Sequence, residues 1–270
     1  MPELPEVETV RSTLELHLKK DIITHVTPYY EKLITGDPNI FYQSIKGQTI
    51  QSISRMGKYL IFVLDDDALI IHLRMEGKFY IKTPLDPVLK HEHMVFHLKS
   101  GRELRYHDVR KFGTLTLLPR DQYMELDPLN RLGLEPKDQK LETFFSRINK
   151  KNIEIKAVLL DQHIISGLGN IYVDETLFHA KIHPTRKANQ ITLDEADAIL
   201  KSAIKVLDKA VALGGTTIRS YTSSMGVHGR FQNELCVHTK RGQPCPICQT
   251  TIIKMKVKGR GTYVCPTCQT

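Results

Sequence analysis

Four of the five cysteines stand as Cys245-Pro-Ile-Cys248 and Cys265-Pro-Thr-Cys268, with sixteen residues between the pairs. Two CxxC pairs at that separation supply four thiolates for one tetrahedral Zn2+, each pair forming a tight knuckle. Two disulfides are the structural alternative, but nothing in the chain points to an oxidising compartment. A closed four-thiolate site keeps no open position, so such a zinc holds shape and performs no catalysis. Cys236 stands outside the pattern and reads as a spare thiol. The other chemically suggestive point is the start, Met1-Pro2-Glu3. Initiator methionine is normally removed before a small second residue, which would leave Pro2 with a free secondary amine beside a carboxyl group. An α-amine titrates near pH ~8, far below lysine, so an appreciable fraction is an uncharged nucleophile at neutral pH. An amine that attacks a sugar C1′ can open the ring to an iminium, and a neighbouring acid must then protonate the departing ring oxygen. The alternative is that Pro2 and Pro5 only frame the start of a helix.

The elements that must position these groups change type along the chain. From Glu6 to Lys20, Val7, Val10, Leu14 and Leu18 recur at helical spacing, and Pro5 suits the first turn. From Ile22 to about Leu118 the runs are short and β-rich, as in 47–53, 58–64, 68–73 and 93–98, with turn formers between them. Many short strands at this spacing predict an antiparallel sandwich or barrel. Beyond Pro128 the pattern is helical. Thr192-Leu-Asp-Glu195 is a capping box ahead of an apolar stripe at Ala196, Ile199, Leu200, Ala203, Ile204, Leu207, Ala210 and Val211, which Gly214-Gly215 should stop. Between the cysteine pairs, 252–263 can form a β-hairpin. Its alternating Lys254, Lys256, Lys258 and Arg260 form either a solvated face or a phosphate-binding one, and the latter is favoured on so basic a chain.

The string Pro2-Glu-Leu-Pro-Glu-Val-Glu8-Thr-Val-Arg11 resembles the N-terminus of the formamidopyrimidine-DNA glycosylases. The resemblance recurs in order along nearly the whole chain. It includes Arg55-Met-Gly-Lys58-Tyr-Leu, His72-Leu-Arg-Met75-Glu-Gly, Lys90-His91-Glu-His93, Asp108-Val-Arg110-Lys-Phe112-Gly, Gly167-Leu-Gly-Asn170-Ile-Tyr-Val-Asp-Glu175 and the tail with Gly259-Arg260-Gly-Thr. It implies an α+β protein with three parts: an N-terminal helix and antiparallel β-sandwich carrying the chemistry (1–130), a helix–two-turn–helix DNA-binding domain (131–235) and a zinc-finger β-hairpin (236–270). It implies removal of oxidised purines such as 8-oxoguanine from double-stranded DNA through a Schiff base, followed by β,δ-elimination at the abasic site.

By the same resemblance Pro2 is the nucleophile, Glu3 the general acid, and Lys58 a phosphate contact that helps excision. Glu6, Arg219 and Tyr221 belong to the lesion pocket, the last two within a loop, 216–226, that closes over the extruded base. Asn170 and Arg260 grip the phosphate backbone, and His91 touches it. Asn170 as a helix N-cap would be equally well explained, and His93 reads simply as a strand residue. Met75, Arg110 and Phe112 match three side chains that fill the void left by a flipped nucleotide. Such a set makes physical sense, because a wedge and an aromatic plane replace lost stacking while a guanidinium pairs with the orphaned base. Taken singly, Met75 and Phe112 would read as core residues.

Composition agrees. A chain of 270 residues that is 41% hydrophobic can bury two cores and a small module, and a net charge of +8 favours polyanions. No apolar run approaches the roughly 20 residues of a membrane span, and no signal peptide is visible, so a cytoplasmic monomer is expected. Two rivals remain: an endonuclease VIII-type glycosylase acting on oxidised pyrimidines with the same amine, and a zinc-bearing DNA-binding protein with no chemistry.

Overall fold

The computed structural model describes residues 1–216 and 229–270. They form two compact units, one of Met1–Asn130 with the described part of 214–229, the other of Arg131–Leu213 with Arg230–Thr270.

The first unit begins with α1 (Leu4–Leu18), Pro5 lying in its first turn where a missing N–H costs nothing. It continues through β1 (Ile23–Pro28), β2 (Ile34–Thr35), α2 (Pro38–Ile45), β3 (Ser52–Met56), β4 (Tyr59–Val63) and β5 (Asp67–His72). Then come β6 (Lys78–Lys82), β7 (Glu92–Leu98), β8 (Glu103–His107) and β9 (Thr114–Pro119). Two sheets result, ordered β1-β7-β8-β6 and β2-β9-β5-β4-β3, antiparallel except where the short β2 runs parallel to β9. One apolar cluster joins Val7, Val10, Leu14 and Leu18 of α1 to both sheets, through Leu60, Phe62, Leu69 and Ile71 on one and Phe79, Met94, Phe96 and Tyr106 on the other. Each such side chain contributes about 1.5–3 kcal/mol by leaving water. The run 47–53 is not a strand throughout. Its first half pairs instead with the chain after α1, Ile23 N–H donating to Gln48 O at 2.9 Å and Lys20 N–H to Ile50 O at 2.8 Å, so β3 starts only at Ser52.

The second unit carries α3 (Leu141–Asn149), α4 (Ile155–Leu159), α5 (Asn170–His179) and α6 (Leu193–Ala212), then the hairpin β10 (Ile253–Val257) and β11 (Arg260–Val264). The capping box at Thr192 and Glu195 is formed, and α6 ends just before Gly214. Val206 takes the buried place expected of Ile204 and Val211, which are only half-buried. Packing of α6 against both α3 and α5 widens its apolar face beyond a single stripe.

Candidate active site

In the first unit Pro2 is buried behind an exposed Met1, and Glu3 is buried beside it at the head of α1. Glu6 explains this order. One of its oxygens, Oε2, accepts the Glu3 N–H at 2.9 Å, while Oε1 accepts the backbone N–H of Thr216 at 2.7 Å and its hydroxyl at 3.0 Å. The Glu6 carboxylate therefore ties the start of the chain to Thr216. Arg219 and Tyr221 lie outside the described residues.

Lys58 follows Gly57 in the two-residue turn between β3 and β4, where Met56 pairs with Tyr59. Arg55 fixes this turn to α1, bonding Glu8 Oε2 at 3.0 Å and the Gly57 carbonyl at 2.8 Å. Glu8 in turn accepts from Arg11 at 2.8 Å, and Arg11 reaches the Ile53 carbonyl at 3.2 Å. Lys58 is buried, and its charge acts on His72, the cross-strand partner of Tyr59. Burial first, then Arg74 and Lys58, push the His72 imidazole down to about 3, so the ring is neutral. Its Nδ1 accepts the Arg74 N–H at 2.9 Å, which places the ring proton on Nε2.

Met75, Arg110 and Phe112 sit on two loops at the same end of the sandwich as His72. Phe112 is 53% exposed and Met75 36%, and the Arg110 guanidinium stacks 4.7 Å above the Phe112 ring. These are surface side chains, not core ones. Buried Asp108 builds the second loop: Oδ1 accepts the Arg110 N–H at 2.9 Å, and Oδ2 accepts those of Phe112 and Gly113, each at 2.9 Å. Tyr106 locks the two loops together, because its hydroxyl lies so close to Gly77 and Gly113 that a Cβ at either would collide with it. His91 is half-buried at the edge of β7, 5.7 Å from the His107 ring. His93 is a buried strand residue with Nε2 2.8 Å from the Asp108 carbonyl.

In the second unit α4, a glycine-bearing turn and α5 form the helix–two-turn–helix. Gln162 braces the turn by donating to the Leu160 and Leu168 carbonyls at 3.0 and 2.8 Å and accepting the Gly167 N–H at 3.0 Å. Gly169, not Asn170, is the N-cap of α5. Asn170 is the first helical residue, and its Nδ2 donates to the Gly261 carbonyl at 2.9 Å, so it is fixed to the finger hairpin where the helix dipole is positive. Below it the buried Lys156 ammonium meets Asp174 Oδ1 at 2.7 Å and Thr262 Oγ1 at 2.8 Å. Asp174 Oδ2 lies 2.7 Å from His238 Nδ1. This network orients β11, whose first residue is the exposed Arg260.

The four cysteine sulfurs converge within 4.8 Å of one another. Cys245 and Cys268 are 3.9 Å apart and Cys248 and Cys265 3.4 Å apart, too far for an S–S bond of about 2.0 Å and close to the roughly 3.8 Å that tetrahedral Zn–S bonds require. Backbone N–H groups of Ile247 and Cys268 point at the Cys245 and Cys265 sulfurs, at 3.5 and 3.4 Å, which favours thiolates. The module is a structural zinc site.

These pieces are those of a zinc-finger DNA glycosylase. Three family models match in series: "Formamidopyrimidine-DNA glycosylase N-terminal domain" over 1–115, "Formamidopyrimidine-DNA glycosylase H2TH domain" over 132–222 and "Zinc finger found in FPG and IleRS" over 242–270. A formamidopyrimidine-DNA glycosylase of Oceanobacillus iheyensis is 46% identical across 100% of this chain and 98% of its own. One from Exiguobacterium sibiricum is 47% identical across 100% and 99%. Among solved structures, Lactococcus lactis Fpg in complex with an abasic-site DNA superposes with a TM-score of 0.93 at 42% identity, covering 100% of both chains. A variant of the same enzyme, bound to a Fapy-dG-containing DNA, gives 0.94 at 43% identity over 99% of each chain. The chain belongs to the formamidopyrimidine-DNA glycosylase family. Spacing had pointed to the cysteines, and the family resemblance to Pro2, Lys58 and Arg260. Asp108, Tyr106, His72 and Lys156 were missed, because their partners come from separate strands, loops and helices.

Proposed function

We propose that this chain removes oxidised purines, 8-oxoguanine and formamidopyrimidines, from double-stranded DNA and then cleaves the abasic site. The observation that carries the proposal is the Pro2–Glu3 start, buried at the head of α1 and bracketed by Glu6. Loss of the exposed Met1 frees the Pro2 nitrogen, whose lone pair attacks C1′ of the damaged nucleotide. The bond from C1′ to the base breaks, Glu3 protonates the ring oxygen, and the sugar opens to an iminium on Pro2. β-Elimination then breaks the C3′–O bond and δ-elimination the C5′–O bond, leaving a gap flanked by phosphates.

Neutral His72 beside Lys58 supports a phosphate position in which Lys58 supplies the charge and the His72 Nε2–H a neutral donor. Arg110 stacked on Phe112, with Met75 on the adjoining loop, supports their filling of the vacated stack. In the second unit Asn170 and Arg260 contact the backbone, and His91 does so from the first. Glu6 acts on the lesion pocket through Thr216, and the loop with Arg219 and Tyr221 completes it. The division of labour follows as chemistry in 1–130, DNA binding in 131–235 and a finger in 236–270, in a monomer that works in the cytoplasm. No helix among the described residues is long and apolar enough to cross a membrane.

Excision measured on matched duplexes tests the lesion class. Release of 8-oxoguanine opposite cytosine should exceed release of thymine glycol by at least tenfold. A preference for thymine glycol would refute the purine reading.

A further inference from the structure

Cys236 belongs to no part of the machinery above, yet it is not isolated. It follows a short turn (Phe231–Glu234) and approaches the last two turns of α5. Glu175 and His179, four apart on that helix, share a face. The Glu175 carboxylate is buried and holds the incoming strand by its backbone, Oε2 accepting the Cys236 N–H at 2.8 Å and Oε1 those of Val237 and His238 at 3.0 and 2.8 Å. That grip fixes where the Cys236 side chain leaves the backbone. Its sulfur lies 3.9 Å from His179 Nε2, and one ligand atom from each of Glu175, His179 and Cys236 falls within 4.8 Å of the other two.

We propose that Glu175, His179 and Cys236 form a second metal site, separate from the four-cysteine finger, that takes one Zn2+ or a softer divalent cation such as Cd2+. Sulfur, imidazole nitrogen and carboxylate oxygen are the donor set of such ions, with bonds of about 2.0–2.3 Å. Donors at a shared ion stand roughly 3.3–3.7 Å apart, so closure from separations within 4.8 Å requires shifts of at most about 1.5 Å. His179 is exposed and can make that shift, and its exposure leaves the ion a route of entry and one position open to solvent.

The surroundings suit a cation. Buried Glu175 holds its carboxylate against three backbone N–H groups and beside the Cys236 side chain, and burial pushes its pKa upward, so a cation there would offset the cost of burying its charge. Partial desolvation of the packed side of the otherwise exposed ring, with Lys205 and Lys209 nearby, holds His179 below its ordinary value, in the neutral form that ligates. Burial and the Glu175 charge raise the Cys236 thiol to about 11. Binding therefore replaces the thiol proton, which passes to solvent, and the thiolate, carboxylate and Zn2+ sum to zero charge.

The test is zinc stoichiometry by equilibrium dialysis on the finger-loaded holoprotein, beside C236S and H179A. Both replacements lie at positions that are not fully buried, so the fold tolerates them. The wild type should bind a second equivalent, and each variant should bind it at least tenfold more weakly. Co2+ added to zinc-loaded wild type should show a thiolate-to-cobalt absorption that C236S lacks. Saturation of the wild type at one equivalent overturns the site, as does a second equivalent unaffected by either substitution. Loss in C236S with no change in H179A would mean capture by a single thiol, and overturns it equally.

Discussion

His72 and Glu6 are the residues whose environments say most about how the site is held. The His72 imidazole falls from its ordinary 6.5 to about 3 in the fold, so between those values the unfolded chain binds a proton that the folded chain refuses. The stability due to its neutral form is complete above pH 6.5 and is lost as pH falls toward 3, at up to about 1.4 kcal/mol per pH unit. Urea midpoints of wild type and H72Q, compared from pH 7 down to pH 5, should show the wild type losing stability faster. Parallel curves would contradict a neutral, buried ring. Glu6→Gln places an amide where Glu6 now accepts donors from both Glu3 and Thr216, so one N–H loses its acceptor at a cost of about 1–3 kcal/mol. Thermal unfolding should report that loss, and excision should slow with it, whereas an unchanged Tm would remove Glu6 from its bracketing role. The cysteine pairs were legible from their spacing alone, whereas the Pro2–Glu3 start gained its reading only through the family resemblance, since two prolines also frame a helix start. The Glu6–Thr216 contact was not legible, since 210 residues separate its partners.

At the scale of elements, the two exposed loops at the end of the sandwich depend on one buried hydroxyl. Gly113→Ala would drive a methyl group into Tyr106, displacing the Phe112 and Arg110 backbone that Asp108 holds. Affinity for a lesion-containing duplex should fall by at least tenfold. Adding Y106F, which removes the colliding oxygen, should recover part of it, and strictly additive effects in that double-mutant cycle would show that the loops are not coupled through Tyr106. Periodicity and short apolar runs found α1, α6 and the strands β4, β5 and β7. They misplaced β3, whose lead-in pairs with the chain after α1, and misassigned part of the α6 stripe, because two neighbouring helices share that face. Asn170 was legible as a helix-start residue, but its bond to the Gly261 carbonyl belongs to packing between α5 and the hairpin.

For the whole molecule, a net charge of +8 places much of DNA affinity in counterion release. R260A should weaken binding about equally on lesion and undamaged duplexes and reduce the slope of log K against log salt by about 1. A weakening confined to lesion duplexes would instead make Arg260 a reader of damage. Chelating the finger zinc removes the constraint on the Lys254–Arg260 hairpin, and gel-shift affinity should drop by at least tenfold; an unchanged affinity would separate the finger from DNA. All of these effects surround the reaction proposed at the Pro2 amine. Borohydride reduction on 8-oxoguanine duplex, followed by peptide mapping of the adduct, tests that reaction most directly. The covalently bound sugar should map to Pro2, and P2G should abolish most trapping while leaving lesion binding largely intact. An adduct on an internal lysine, or full trapping by protein that retains Met1, would contradict the mechanism.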